Sequence, residues 1–190
     1  MNVFVSVGTT KFDELIGIFS DPEFVRELKF VKKLTIQHGK STAPILPSPH
    51  VVFDYTDKFQ EMIDESDLVV SHAAAGTRLD VISAEKPHLM LANRQLHGDH
   101  QKEMVDAFNM AENPSVKGFL DPLELKSFLQ KLTVKDLKLM QKPVSYPSSQ
   151  QILDMVQQTM LQKENGTYIL LSIFAIILYV NLYVLTIILE

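Results

Sequence analysis

The side chains that could do chemistry in this chain fall in three short stretches. The first, Val7 to Leu15 (VGTTKFDEL), places Gly8 directly after an apolar run and follows it with the hydroxyls of Thr9 and Thr10. A glycine at a strand end lets backbone approach a ligand. The helix behind it offers free N–H groups and the positive end of its dipole. The second, Ser71 to Asp80 (SHAAAGTRLD), leaves the apolar run Leu68-Val69-Val70 through Ala73-Ala74-Ala75-Gly76. Small residues admit a phosphate or sugar to the backbone, Thr77 can cap or donate, and Asp80 could accept from ribose hydroxyls. The same residues would also suit a helix packed closely on a sheet, with Asp80 facing the dipole, and chemistry alone leaves the two readings balanced. The third, Leu91 to Met104 (LANRQLHGDHQKEM), gathers Asn93, Gln95, His97, His100 and Gln101. Neutral hydrogen-bonding groups of this kind suit a sugar with several hydroxyls.

Several chemistries are excluded. His97, Asp99 and His100 miss the i, i+4 spacing of a helical metal pair, and no Asp-x-Asp triplet is present to hold a metal nucleotide, so no metal is expected. The first turn has neither GxGxxG nor the lysine-bearing phosphate loop, which argues against a nicotinamide dehydrogenase. No Gly-x-Ser-x-Gly elbow appears. The chain has no cysteine, hence no disulfide and no thiolate nucleophile. Its net charge of −5 and the absence of a basic patch give no reason to expect nucleic acid.

These stretches need elements to position them. Strands are expected at Asn2–Val7, Leu34–Ile36, Val51–Phe53, Asp67–Ser71, His88–Ala92 and Val116–Leu120. Helices are expected at Phe12–Phe19, from Pro22 behind Ser20-Asp21, from a Thr56-Asp57 cap to Asp64, at Ala75–Ala84, at Asp99–Ala111, and from Asp121-Pro122 to about Leu132. Ser148–Lys163 reads as the last helix of the polar body. Strands alternating with helices predict an α/β fold, a Rossmann-like parallel sheet flanked by helices. In such sheets ligands bind beyond the carboxyl ends of the strands, where all three stretches fall. Amides and helix dipoles there can stabilise a diphosphate leaving group without a metal, so a sugar-nucleotide site is expected.

The C-terminus has a different composition. Tyr168 to Leu189 (YILLSIFAIILYVNLYVLTIIL) carries no charge and meets the roughly 20 apolar residues a bilayer crossing requires. A C-terminal hydrophobic helix acting as a tail anchor is expected there, with a helix buried on a partner protein as the alternative. No signal peptide is readable at MNVFVSVG. The expected organisation is a donor-binding domain at 1–132, a linker and partner-docking helix at 133–166, and a transmembrane tail anchor at 167–189. In a cytosolic body the Asn165-Gly166-Thr167 acceptor triplet would be a chance match.

VFVSVGTTKFDELI, SDLVVSHAAAGTRLDVISAEKP and NRQLHGDHQKEM, in order and at fitting spacing over about residues 2–110, resemble the catalytic subunit of the eukaryotic UDP-N-acetylglucosamine transferase complex. That resemblance implies the C-terminal half of a two-domain GT-B glycosyltransferase, related to the bacterial enzyme that makes lipid II. The implied reaction adds the second N-acetylglucosamine to dolichyl-diphosphate-N-acetylglucosamine on the cytosolic face of the endoplasmic reticulum. The implied partner is a membrane-anchored, acceptor-binding subunit forming a heterodimer, and no cofactor is implied. By motif, Gly8, Thr9 and Thr10 would face the UDP phosphates, and His72, Ala74, Gly76 and Thr77 would line the donor pocket. Asp80 would meet the ribose, and Asn93, His100 and Gln101 would contact the N-acetylglucosamine.

The sequence departs from the family pattern His-Ala-Gly-Ala-Gly-Ser at Ala74 and Thr77. Asp80 replaces a glutamate, and Asp99 replaces an amide. If position 74 requires a positive φ, alanine would be strained there. These departures and the apolar tail leave a second reading open, a non-catalytic, membrane-tethered binding or regulatory subunit docked on the partner.

Overall fold

The computed structural model describes residues 1–95, 100–110 and 114–141. They belong to the first of two units, Met1–Val144; the second, Ser145–Glu190, lies outside the described residues. The expected helix Ser148–Lys163, the apolar run at 167–189, and His97 and Asp99 therefore also lie outside them. Among the described residues no helix is long and apolar enough to cross a membrane.

The chain runs β1 (Asn2–Ser6), α1 (Asp13–Ile18), α2 (Pro22–Glu27), β2 (Lys33–Gln37), β3 (Val51–Phe53), α3 (Phe59–Asp64), β4 (Leu68–His72), α4 (Ala75–Ser83), β5 (His88–Leu91), α5 (His100–Met110), β6 (Val116–Phe119), α6 (Pro122–Lys131) and α7 (Val134–Met140). The strands form one six-stranded sheet in the order β3-β2-β1-β4-β5-β6. Every pairing is parallel, with Ser6 opposite Ser71 where β1 and β4 meet. Strand order reverses between β1 and β4, which makes that junction the topological switch point of the sheet.

Helices on both faces explain why the central strands are apolar through their middles, with polar residues kept to their ends. Val3, Val5, Leu34, Ile36, Leu68, Val70, Leu89 and Leu91 face the larger core, together with Leu15 and Phe19 around α1, Leu125 of α6, and Leu137 of α7. Phe4 and Val69 alternate to the other face, against Ile63 of α3 and Val81 of α4. Met90 packs with Val105 of α5 in a third cluster.

The helix starts follow local chemistry. Asp21 and Asp121 each precede a proline and accept a backbone N–H two residues on. The start of α3 differs from the sequence expectation. Thr56 Oγ1 accepts the Lys58 N–H at 3.0 Å, and the helix opens at Phe59 with no side-chain cap. Threonine two residues before a backbone donor satisfies it in a turn, which competes with helix initiation. The seventh helix was not among those expected. Thr133 and Asp136 close a reciprocal capping box, and Leu137 and Met140 bury its inner face in the main core.

Candidate functional site

At the switch point the loop after β1 turns sharply over the end of β4. Gly8 has φ +59°, and a Cβ placed there would stand 3.4 Å from His72 Cε1. Glycine makes the left-handed turn available. Ser6 Oγ accepts the Gly8 N–H at 2.9 Å and donates to Gln37 Oε1 at 2.9 Å, both inside the sheet edge. Thr10 donates its hydroxyl to the Val7 carbonyl at 2.8 Å, so that hydroxyl is a fastening group. Thr9 is exposed.

His72, the last residue of β4, is buried with 6% of its surface exposed. Its Nδ1 finds no hydrogen-bond partner among the described residues. Burial holds its imidazole below the ordinary histidine value, opposed in part by a hydrogen bond with the Ser6 backbone. A buried ring nitrogen without a partner among the described residues, beside a left-handed glycine turn, is a group that a bound ligand could meet.

Ala74 is the N-cap of α4, at φ −97° and ψ 136°. This is extended backbone that alanine adopts freely, so the substitution of glycine there brings no strain. Ala73 is buried beneath it. Gly76 stands in the first turn, and a Cβ added there would meet nothing within 4 Å. Packing therefore does not demand glycine at 76. The N-cap of α4 is Ala74, which carries no side-chain cap bond, and Thr77 is buried within the first turn. Asp80 is half-buried, and burial raises its carboxyl pKa above the ordinary value.

Behind this loop runs a chain of buried polar groups absent from the sequence expectations. The Arg78 guanidinium lies 4.9 Å from the Phe108 ring centroid, and its Nη1 is 3.4 Å from His88 Nδ1. His88 Nε2 lies 2.8 Å from Ser71 Oγ, which donates to the His72 carbonyl at 2.8 Å. With the serine proton committed to that carbonyl, His88 must be the Nε2–H tautomer, neutral and accepting at Nδ1. Burial first, then the Arg78 charge and His72, push its pKa well below the ordinary value. No period-2 or helical pattern announces such a chain, because its members come from β4, α4 and β5.

The third stretch is arranged differently. Asn93 is 2% exposed and donates its amide to the Lys11 carbonyl at 3.2 Å. Its Oδ1 accepts the Gln95 N–H at 3.1 Å, and its own N–H goes to Gln101 Oε1 at 2.8 Å. Asn93 thus ties the β5 loop to the β1 loop, and Gln101 supports it. His100 is exposed at the start of α5, with Nδ1 3.8 Å from Glu103 Oε2. Among the described residues, no group of three or more His, Asp and Glu side chains is placed to hold a metal.

A fourth loop, residues 38–42 after β2, completes the edge. Gly39 has φ +56°, and a Cβ there would overlap the Thr10 carbonyl oxygen and stand 2.7 Å from the Gly8 carbonyl oxygen. Lys40 N–H donates to Thr10 O at 2.9 Å, Phe12 N–H to Ser41 Oγ at 2.7 Å, and Thr42 N–H to Asp13 Oδ1 at 2.9 Å. The available signal was a glycine just past a strand, the same feature that singled out Gly8.

With this geometry in place, comparison with known proteins is decisive. Residues 2–159 match the model of the glycosyltransferase family 28 C-terminal domain. The chain belongs to that family. The family 28 domain is 36% identical over 112 residues to the human UDP-N-acetylglucosamine transferase subunit ALG13, a match covering 54% of this chain and 10% of that relative. It is 27% identical over 123 residues to the Yarrowia lipolytica protein of the same name, covering 60% of this chain and 63% of that one. The chain thus spans less than two thirds of the length of either relative. Among solved structures, the NMR structure of ALG13 superposes with a TM-score of 0.55 at 24% identity, over 80% of this chain and 94% of that one. A glycosyltransferase of kitacinnamycin superposes with a TM-score of 0.52 at 14% identity, over 73% of this chain and 38% of that one. At such identities the two structures show the fold alone.

Proposed function

We propose that this family 28 domain is the donor-binding subunit of a UDP-N-acetylglucosamine transferase of the N-glycan precursor pathway. Its acceptor is dolichyl-diphosphate-N-acetylglucosamine, and it works only with a membrane-anchored, acceptor-binding partner at the cytosolic face of the endoplasmic reticulum. The observation that carries the reading is the switch-point crevice. There the Gly8 turn stands against His72, whose Nδ1 has no partner among the described residues, and α4 begins three residues on, with no described residue beyond the helix's own backbone within 4 Å of a Cβ placed at Gly76.

The UDP diphosphate lies between the Gly8–Thr10 loop, where the Gly8 and Thr10 N–H groups are bonded within the chain and the Thr9 N–H is left for it, and the start of α4, where backbone N–H groups and the helix dipole favour negative charge. The Thr77 hydroxyl adds a hydrogen bond to the diphosphate, His72 Nδ1 accepts from a donor hydroxyl, and Asp80 accepts from the ribose. The acceptor hydroxyl attacks the anomeric carbon from the face opposite UDP, the bond from that carbon to the β-phosphate oxygen breaks, and the electron pair leaves with UDP. The configuration inverts, and the phosphate charge is stabilised by protein dipoles without a metal. We place the base that takes the acceptor proton on the partner's side of the cleft. The unstrained Ala74 removes one reason for preferring a non-catalytic tethered subunit.

The test is co-expression with a family partner and an assay of N-acetylglucosamine transfer to the dolichol-linked acceptor. Transfer is expected from the pair and not from this chain alone. A stable complex that transfers nothing would overturn the enzymatic reading and leave the regulatory one.

A further inference from the structure

We propose that Lys40 is a further donor-binding residue, supplying the cation that neutralises the diphosphate at the Gly8–Thr10 turn; this deepens the donor-site reading and rests on it. The position of Lys40 is fixed by its neighbours. β2 lies beside β1, so the loop after it leaves the same edge of the sheet. Gly39 folds that loop onto the β1 loop so closely that no side chain fits between its Cα and the carbonyls of Gly8 and Thr10. The Lys40 N–H is bonded to Thr10 O, and Ser41 and Thr42 are fastened to Phe12 and Asp13 on the far side of Lys11. The backbone of Lys40 is thus held against the turn that receives the diphosphate, while its side chain is exposed.

Charge singles it out among its neighbours. Lys11 has its charge matched by Asp13 at 3.1 Å. Lys40 has no ion pair among the described residues. Arg94 is exposed too and, like Lys40, follows a strand one place removed from the switch point, but of the two it is Lys40 whose N–H is bonded to the turn itself, at Thr10 O. A diphosphate bound by dipoles alone keeps most of its negative charge. A lysine ammonium on a flexible four-carbon stem is a suitable point charge for it. A rigid cradle also explains why Gly39 is built so tightly. Its packing puts Lys40 at a fixed root while leaving the ammonium free to follow the phosphates.

The test compares UDP with uridine, which lacks the phosphates, on the full chain and on its Lys40→Met and Lys40→Arg variants, by NMR titration. Lys40→Met is expected to bind UDP about tenfold more weakly, the scale of one charge-assisted contact, with uridine affinity and thermal unfolding unchanged. Lys40→Arg is expected to restore most of the UDP affinity. Raising the salt concentration should narrow the gap between parent and Lys40→Met for UDP alone. If Lys40→Met binds UDP as the parent does, or loses UDP and uridine equally, the assignment of Lys40 is overturned while the donor site stands. If the parent chain binds neither UDP nor uridine, the donor site and Lys40 both fall.

Discussion

Gly39 and Gly76 sit at the same edge of one sheet, yet they answer to opposite demands. At Gly39 the backbone is left-handed and two carbonyl oxygens occupy the space of a side chain. At Gly76, apart from the helix's own backbone, no described residue lies within 4 Å of an added Cβ. The same division runs through the polar groups around them. The loops after β2 and β5 use Lys40 N–H, Ser41 and Asn93 to fasten themselves to the segment after β1, with Gln101 of α5 holding Asn93. The end of β4 leaves His72 Nδ1 without a partner among the described residues, and α4 carries a half-buried carboxyl at Asp80. One set of residues builds the frame, and the other faces outward from it. Residue type does not tell them apart, since each set contains glycine and hydrogen-bonding side chains.

The sharpest way to break the fastened side is Gly39→Ala. A Cβ in left-handed backbone costs about 1–2 kcal/mol, and overlap with carbonyl oxygens adds about 1–3 kcal/mol. We expect a loss of about 3 kcal/mol in urea unfolding, with UDP binding lost as the β1 turn shifts. A variant as stable as the parent would show that the β2 loop is not fastened as described.

The open side has a different vulnerability, its buried imidazoles. His88 and His72 both have pKa values depressed by burial. The unfolded chain, with histidines near 6.5, therefore binds more protons than the folded chain just below that pH. Their contribution to stability is complete above about pH 6.5 and is lost as pH falls toward the folded values. Denaturant midpoints measured from pH 8 to pH 5 should fall on the acid side. His88→Gln, which keeps a donor for Ser71 but cannot titrate in this range, should flatten that fall without abolishing it, because His72 remains. An unchanged slope would show that His88 does not resist protonation in the fold.

Much of this architecture was legible because burial writes a pattern. Strands covered on both faces must be apolar, and NVFVS, LVVSH and HLML could be placed within a residue or two. Proline behind aspartate marked α2 and α6 for a local reason, a cap and a pre-set φ. Thr56 misled because a threonine hydroxyl serves a turn as readily as a helix start, and Thr133 was passed over although its capping box partner lies three residues on. The site was legible as a place, at strand ends near small residues. The roles within it were not. Asn93 reads as a sugar contact until its amide is seen bonded to Lys11, and Gly39 reads as an ordinary loop glycine until the Gly8 and Thr10 carbonyls are found against it. Those facts are tertiary, made by residues far apart in the chain. The chain from Arg78 through His88 to Ser71 was hidden for the same reason.

The smallest effect on stability tests the contrast most directly. Gly76→Ala adds a methyl where nothing touches it and replaces glycine within a helix, so the fold should gain about 0.5 kcal/mol or remain unchanged. If the small residues of SHAAAG exist only to pack α4 on the sheet, the variant should then be silent in every assay. If they keep the backbone open to a diphosphate, the same methyl stands where the ligand must approach, and UDP affinity should drop about tenfold while stability does not fall. A loss of binding without a loss of stability is a result that close packing cannot produce. Retained binding would return Gly76 to the frame and leave the Gly8 turn and His72 to hold the donor.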